Sequence, residues 1–233
     1  SLEMIRQEIG ERLLSDTSQL PVDVFDNPDL LSLESIMDKL RRSAEEYQDL
    51  PIYLQEVTNA THVDVCSSVR QFAEEVSNLG LLTIDHVGLH KTIGTSRVEA
   101  VGDMTRAYKM LARELGIPVL LLCQLNRNLE MRDDKRPMLS DLRESGAIEQ
   151  DADRIVFIYR DSVYDDKSGW GSVAELINGK RRRGEAQSSY LDFKAGHFCD
   201  VPPGFTPPIA QIQAASASQR SFKTMRGLRT YDY

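Results

Sequence analysis

No apolar run in the 233 residues approaches the roughly 18 needed to cross a bilayer, and the first twenty residues mix charge with apolar positions instead of forming a secretory-signal core. A reduced, cytoplasmic setting is the expectation. Cysteine is scarce: Cys66, Cys123 and Cys199 are odd in number, far apart and outside any C-x-x-C pattern, which argues against a disulfide framework and a zinc site. Aromatic residues make up only 7% of the chain, too few to suggest a surface built on stacked rings. His62, His86, His90 and His197 lack ligand spacing with carboxylates or thiols and read as ordinary polar residues. No repeat of solenoid period is visible.

What is present is an ordinary globular balance, 41% hydrophobic and 27% charged, with material for one sizeable domain. The net charge of −8 is unevenly spread. Residues 1–90 hold 17 Asp/Glu against 6 Lys/Arg, whereas residues 91–233 hold 19 against 22. A polyanionic partner would therefore meet particular loops of the second half rather than the general surface.

Short β-rich apolar runs alternate with helical patterns, the mark of a parallel sheet with crossover helices. Ile52–Leu54 reads as a strand. Val65, Val69, Phe72, Val76 and Leu79 then recur at helical spacing, and Leu81–Ile84 reads as a strand ending in Asp85. Met104, Ala107, Met110, Leu111 and Leu115 form the next amphipathic face, which Gly116 and Pro118 close before the strand Val119–Leu122. Ile155–Tyr159 and Val173–Ile177 are further strands, and Tyr190–Phe193 reads as a late edge strand where the topology turns antiparallel. Upstream, residues 2–14 and the series Leu33, Ile36, Met37, Leu40, Ala44, Tyr47 read as helices. From Pro202 onward the composition shifts to that of a tail.

Asp85 follows an apolar strand, where α/β folds bring carboxylates to the functional edge of the sheet; there it either caps a loop or holds Mg²⁺ beside nucleotide phosphates. Gln124 stands at the equivalent edge of the next strand, as a loop hydrogen-bonder or a phosphate sensor. The run Gly179–Gly184 concentrates four cations in a short turn, facing either water or a phosphate of nucleic acid or nucleotide. Residues 141–153 are polar and too charged to read as core.

Taken in order, SLEM at 1–4, LLTIDH at 81–86, CQLNR at 123–127, DKRPMLSDLRESGAIEQDADRIVFIYRD at 134–161 and GKRRRG at 179–184 closely resemble the RecA-like C-terminal motor domain of DnaB-type replicative helicases. The resemblance runs to about Val201, and the stretch through RESGAIEQDAD is its most diagnostic part. It implies an α/β fold with a mostly parallel sheet flanked by helices and late antiparallel strands, with the motor over residues 1–201 and a Pro/Ala/Ser-rich tail over 202–233.

The resemblance also assigns roles. Glu3 corresponds to the carboxylate that activates the attacking water, Asp85 to the Walker B magnesium ligand, and Gln124 to the γ-phosphate sensor. Arg143, Glu144 and Gly146 match the loop that follows the backbone of single-stranded DNA. Lys180 and Arg182 match the pair that reaches a neighbouring subunit's nucleotide, Arg182 as the arginine finger. ATP and Mg²⁺ are the implied cofactors. Single-stranded DNA, a homohexameric ring, a helicase loader and a primase are the implied partners.

The sequence departs from that family in one important place. No G-x-x-x-x-G-K-[ST] occurs in it, so the backbone cradle and lysine for the β and γ phosphates are missing. Their usual place is upstream of Ser1, and the simplest expectation is a fragment of a helicase, with poor hydrolysis by this chain alone. His86 stands where the family commonly has Tyr, and Arg181 and Arg183 stand where uncharged residues are usual. A non-catalytic paralogue, a loader- or inhibitor-type interaction module, and a RecA-like recombination ATPase are the competing readings.

Overall fold

The computed structural model describes residues 1, 4–86, 88, 96–142, 145–165, 167–184 and 187–207. The element order begins with three helices, α1 (Arg6–Ser18), α2 (Pro28–Leu31) and α3 (Glu34–Gln48). They form a small helical layer around buried Leu20, Val24 and Leu40. Asn27 starts α2 by accepting from the backbone N–H groups of Asp29 and Leu30 at 3.1 and 3.3 Å, with Pro28 in the position where a missing N–H costs nothing.

The central unit is α4 (His62–Glu75), β1 (Leu82–Ile84), α5 (Arg97–Leu115) and β2 (Val119–Leu121). α4 opens on a reciprocal cap: Thr61 Oγ1 accepts from Asp64 N–H at 3.2 Å, and Asp64 Oδ2 accepts from Thr61 N–H at 2.9 Å. α5 stops at Gly116, whose φ of 67° is the left-handed conformation that glycine adopts without steric penalty. β1 and β2 pair in parallel, Leu82 opposite Val119 and Ile84 opposite Leu121. The main core lies between this pair and the two helices, built on Cys66, Val69, Ile84, Val101, Met104, Tyr108 and Leu111.

After the short helix α6 (Ser145–Asp151) the chain forms β3 (Arg154–Tyr159), β4 (Val173–Arg181), β5 (Ser189–Lys194) and β6 (His197–Asp200), an antiparallel sheet in that spatial order. β3 alternates: Ile155, Phe157 and Tyr159 are buried, while Val156 and Ile158 point away and are exposed. Gly179 on β4 lies directly over the Phe157 ring, which a Cβ at that position would overlap. An antiparallel bridge between Leu125 and Leu142 links the segment after β2 to the segment before α6.

Several expectations need correction. Ile52–Leu54 belongs to no strand, and its three side chains are exposed; its apolar run finds no neighbouring strand among the described residues. Tyr190–Phe193 lies in β5, an interior strand, because β6 supplies the edge. The first helix begins at Arg6 and continues to Ser18, four residues beyond the expected end. The expected class stands: among the described residues β1 and β2 pair in parallel between helices, and the late strands β3 to β6 are antiparallel.

Candidate functional site

The parallel pairing of β1 and β2 aligns their carboxyl ends, the place where open α/β sheets present functional groups. Asp85 is the first residue beyond β1 and Gln124 lies three beyond β2, with Leu122 N–H donating to the Ile84 carbonyl at 3.0 Å to extend the pairing towards them. Asp85 is half-buried and Gln124 exposed. Both therefore leave the same end of the pair from adjacent strands. Ser1 Oγ donates to the Asp85 carbonyl at 3.4 Å, and Met4 N–H donates to Ser1 Oγ at 2.9 Å. Ser1 thus touches the Asp85 backbone and Met4 is tied to Ser1, while Glu3 lies outside the described residues.

Asp85 fits the protein's share of a Mg²⁺ site. Magnesium keeps several waters and takes one or two carboxylates together with substrate phosphates, so it requires no cage of protein ligands. Among the described residues no group of three His, Cys, Asp or Glu forms such a cage. Beside Gln124, burial pushes the Cys123 thiol up to about 11, which keeps it a neutral packing group at neutral pH.

Of the residues that the resemblance assigns to a DNA loop, Arg143 and Glu144 lie outside the described residues, and Gly146 is exposed in the first turn of α6. The expectation that 141–153 carries no core is wrong at its start. Asp141 is buried, accepts from Arg132 Nη2 and Met138 N–H at 2.8 Å each, and is followed by buried Leu142. Its charge is tolerated because paired partners meet it there.

The cationic run is also placed differently from the expected turn. Gly179, Lys180 and Arg181 belong to β4, with Lys180 paired to Ile155, and only the residues from Arg182 lie in the turn. Lys180 Nζ donates to the Glu149 carbonyl. Arg182 Nη2 donates to the Gln150 carbonyl at 2.8 Å, its Nη1 lies 3.3 Å from Asp153 Oδ1, and its backbone N–H donates to the Asp153 carbonyl at 3.0 Å. Both candidate trans-acting side chains are thus held on the end of α6 in their own subunit. Sequence reasoning missed Asp153, whose only signal was its place at the end of the diagnostic acidic stretch.

His62 begins α4, and His86 and His197 are buried. His197 Nε2 lies 3.2 Å from the Leu20 carbonyl, joining β6 to the end of α1. A cis peptide joins Asp85 to His86. His90 lies outside the described residues. No helix among the described residues is long and apolar enough to cross a membrane.

Residues 1–199 match the family described as the DnaB-like helicase C-terminal domain. The replicative DNA helicase DnaB of Buchnera aphidicola subsp. Acyrthosiphon pisum is 36% identical over 205 residues, which cover 85% of this chain and 43% of that protein. The DnaB of Haemophilus influenzae is 38% identical over 198 residues, 83% of this chain and 42% of that protein. The chain spans less than half the length of these curated relatives. Among solved structures, one described as an ATPase domain superposes with a TM-score of 0.80 at 33% identity, covering 87% of this chain and 73% of that one. A DnaB-like replicative helicase, described together with its interactions with primase, superposes with a TM-score of 0.79 at 32% identity, covering 86% and 49%. The α/β fold of these solved domains is the fold of this chain.

Proposed function

This chain belongs to the DnaB-like helicase C-terminal domain family, and we propose that it is the motor domain of a replicative DNA helicase, one that uses ATP and Mg²⁺ to move a homohexameric ring along single-stranded DNA in the cytoplasm. The observation that carries the reading is the departure of Asp85 and Gln124 from the same end of the parallel pair β1–β2, where a nucleotide's phosphates can lie between magnesium ligand and sensor.

ATP supplies the phosphoanhydride whose cleavage drives movement. In this reading Glu3 orients and deprotonates the attacking water, Asp85 holds the metal, and Gln124 senses the γ-phosphate. Arg143, Glu144 and Gly146 follow the DNA backbone. Lys180 and Arg182 stabilise charge on the neighbour's nucleotide, which makes hydrolysis a property of the interface between subunits. A loader and a primase are the proposed protein partners, and the residues from 202 onward are a tail outside the motor.

The phosphate cradle is proposed to come from residues outside this sequence, which holds no Walker A pattern. Two observations support that reading. β2 and β3 each have a strand on one side only among the described residues, and Leu120, Leu122, Val156 and Ile158 are exposed on or beside them. The 233 residues alone are expected to hydrolyse ATP at background.

The missing cradle equally suits a second reading, a non-catalytic module that occupies a ring position. Subunit mixing separates the two. In the intact protein, Arg182→Ala and Glu3→Gln subunits are each expected to be nearly inactive, and mixed rings should regain activity at interfaces that join an intact finger to an intact base. Mixed rings without recovery refute a trans role for Arg182. An intact protein that binds DNA and joins rings but never releases phosphate favours the non-catalytic module.

A further inference from the structure

Two distant parts of the sequence meet on one short helix. α6 follows residues 143 and 144 directly and spans seven residues, Ser145–Asp151, about 10 Å at the α-helical rise. Its final turn receives the two candidate trans-acting cations, Lys180 on the Glu149 carbonyl and Arg182 on the Gln150 carbonyl. Carbonyls at a helix's end have no partner within the helix and carry its partial negative charge, so cations are favoured there.

Asp153 completes this grip. Its Oδ1 faces Arg182 Nη1 and its Oδ2 accepts from Lys109 Nζ of α5, so one carboxylate serves cations from two elements. The hydrogen bond from Lys109 is the main influence holding its carboxyl below the usual range; desolvation opposes that shift, and the charges of Lys109, Arg182 and Arg113 add to it. α6 is braced on both sides. Thr105 Oγ1 of α5 donates to Asp151 Oδ2 at 2.6 Å, and Ile148 packs both into the α4–α5 core and against a second cluster built on Leu142, Ile155 and Phe157. A helix of under two turns, packed in this way, passes a displacement of its first turn to its last.

We propose that Asp153, together with the Glu149 and Gln150 carbonyls, is a holder that keeps Lys180 and Arg182 on their own subunit until DNA engages the start of α6, and that displacement of α6 then frees the pair for the neighbouring nucleotide. The inference rests on the proposed function, in particular on 143–146 as the DNA contact and Arg182 as the finger. Asp153 touches no reacting atom and acts as a positioning residue. The hold is of the right strength for exchange, because the Arg182 and Asp153 side chains are 47% and 63% exposed and a pair so hydrated is readily traded for another anion.

The test is ATP turnover by the intact protein without DNA and with saturating oligothymidylate, for the unaltered sequence, Asp153→Asn and Arg182→Ala. Removing the holder should raise DNA-free turnover about three-fold relative to DNA-saturated turnover, the factor expected for an ion pair of this exposure, and lower the stimulation ratio accordingly. An unchanged ratio, or equal losses with and without DNA, overturns the holder. Activity that survives in Arg182→Ala instead overturns the finger reading, so the two failures are distinguishable. Should Asp153→Asn fold poorly by thermal melting, Asp153→Glu keeps the charge but shifts it by one methylene. It should give an intermediate ratio, and an unaltered ratio there also overturns the proposal.

Discussion

Arg136 and Glu175 meet in a two-pronged ion pair across 39 positions of sequence, Nη2 donating to Oε1 at 2.7 Å and Nη1 lying 2.5 Å from Oε2, with the Glu175 side chain 1% exposed. The same guanidinium sits 5.6 Å from the centre of the Tyr159 ring. The pair clasps the segment after β2 onto β4. Arg132 continues the clasp by donating to the Arg136 carbonyl at 2.9 Å and to buried Asp141. The chain that leads into the proposed DNA contact is therefore tied to the antiparallel sheet at several points.

Breaking that clasp should be costly, since removal of one member leaves a buried charge without its partner. Arg136→Ala, which leaves the buried Glu175 carboxylate without its partner, is expected to destabilise the domain by about 3 kcal/mol, which lowers the melting temperature by roughly 6–12 °C for a chain of this size. A shift under about 2 °C in a calorimetric scan would contradict the buried pairing.

Two glycine substitutions should act in opposite directions. At Gly179 a Cβ overlaps the Phe157 ring and also meets Leu139 Cδ2 at 3.4 Å, so Gly179→Ala is expected to cost about 1–3 kcal/mol by overpacking. Gly10 lies inside α1, and a Cβ added there would meet nothing within 4 Å. Gly10→Ala should therefore stabilise by about 0.5–1 kcal/mol through helix propensity. Chemical denaturation of the two variants checks both signs.

The Cys123 thiol supplies a pH window. Burial raises its pKa from 9.0 to about 11, so the folded state favours the protonated thiol. Its contribution is full below the unfolded value and is lost as pH rises through the window from about 9 to 11. Alkylation of Cys123 by iodoacetamide at pH 8, followed by peptide mass spectrometry, should be far slower in the native chain than in denaturant. Equal rates would place the thiol in water.

Arg143→Ala in the intact protein should weaken single-stranded DNA binding while nucleotide binding persists, and should reduce the dependence of log affinity on log salt by about 0.7, the single-strand contribution of one phosphate contact. Fluorescence anisotropy across a salt series gives both quantities. An unchanged affinity and slope would remove Arg143 from the interface.

Features written in neighbouring residues were legible from the chain alone. The spacing of Met104, Ala107, Leu111 and Leu115 marked α5, and Gly116 marked its end because a left-handed cap is a local steric matter. The apolar runs before Asp85 and Gln124 marked β1 and β2, and the motif order marked the family. What only the tertiary structure decided depends on partners far away in sequence. The Ile52–Leu54 run has strand composition but no neighbouring strand among the described residues, β5 became interior only because β6 folds back on it, and Asp141 could be buried only because Arg132 meets it. Arg182 is the clearest case. Its charge was plain in the sequence, but its direction is set by Gln150 and Asp153, which reach it only after α6 and β4 have packed, since electrostatic partnership depends on distance in space rather than along the chain.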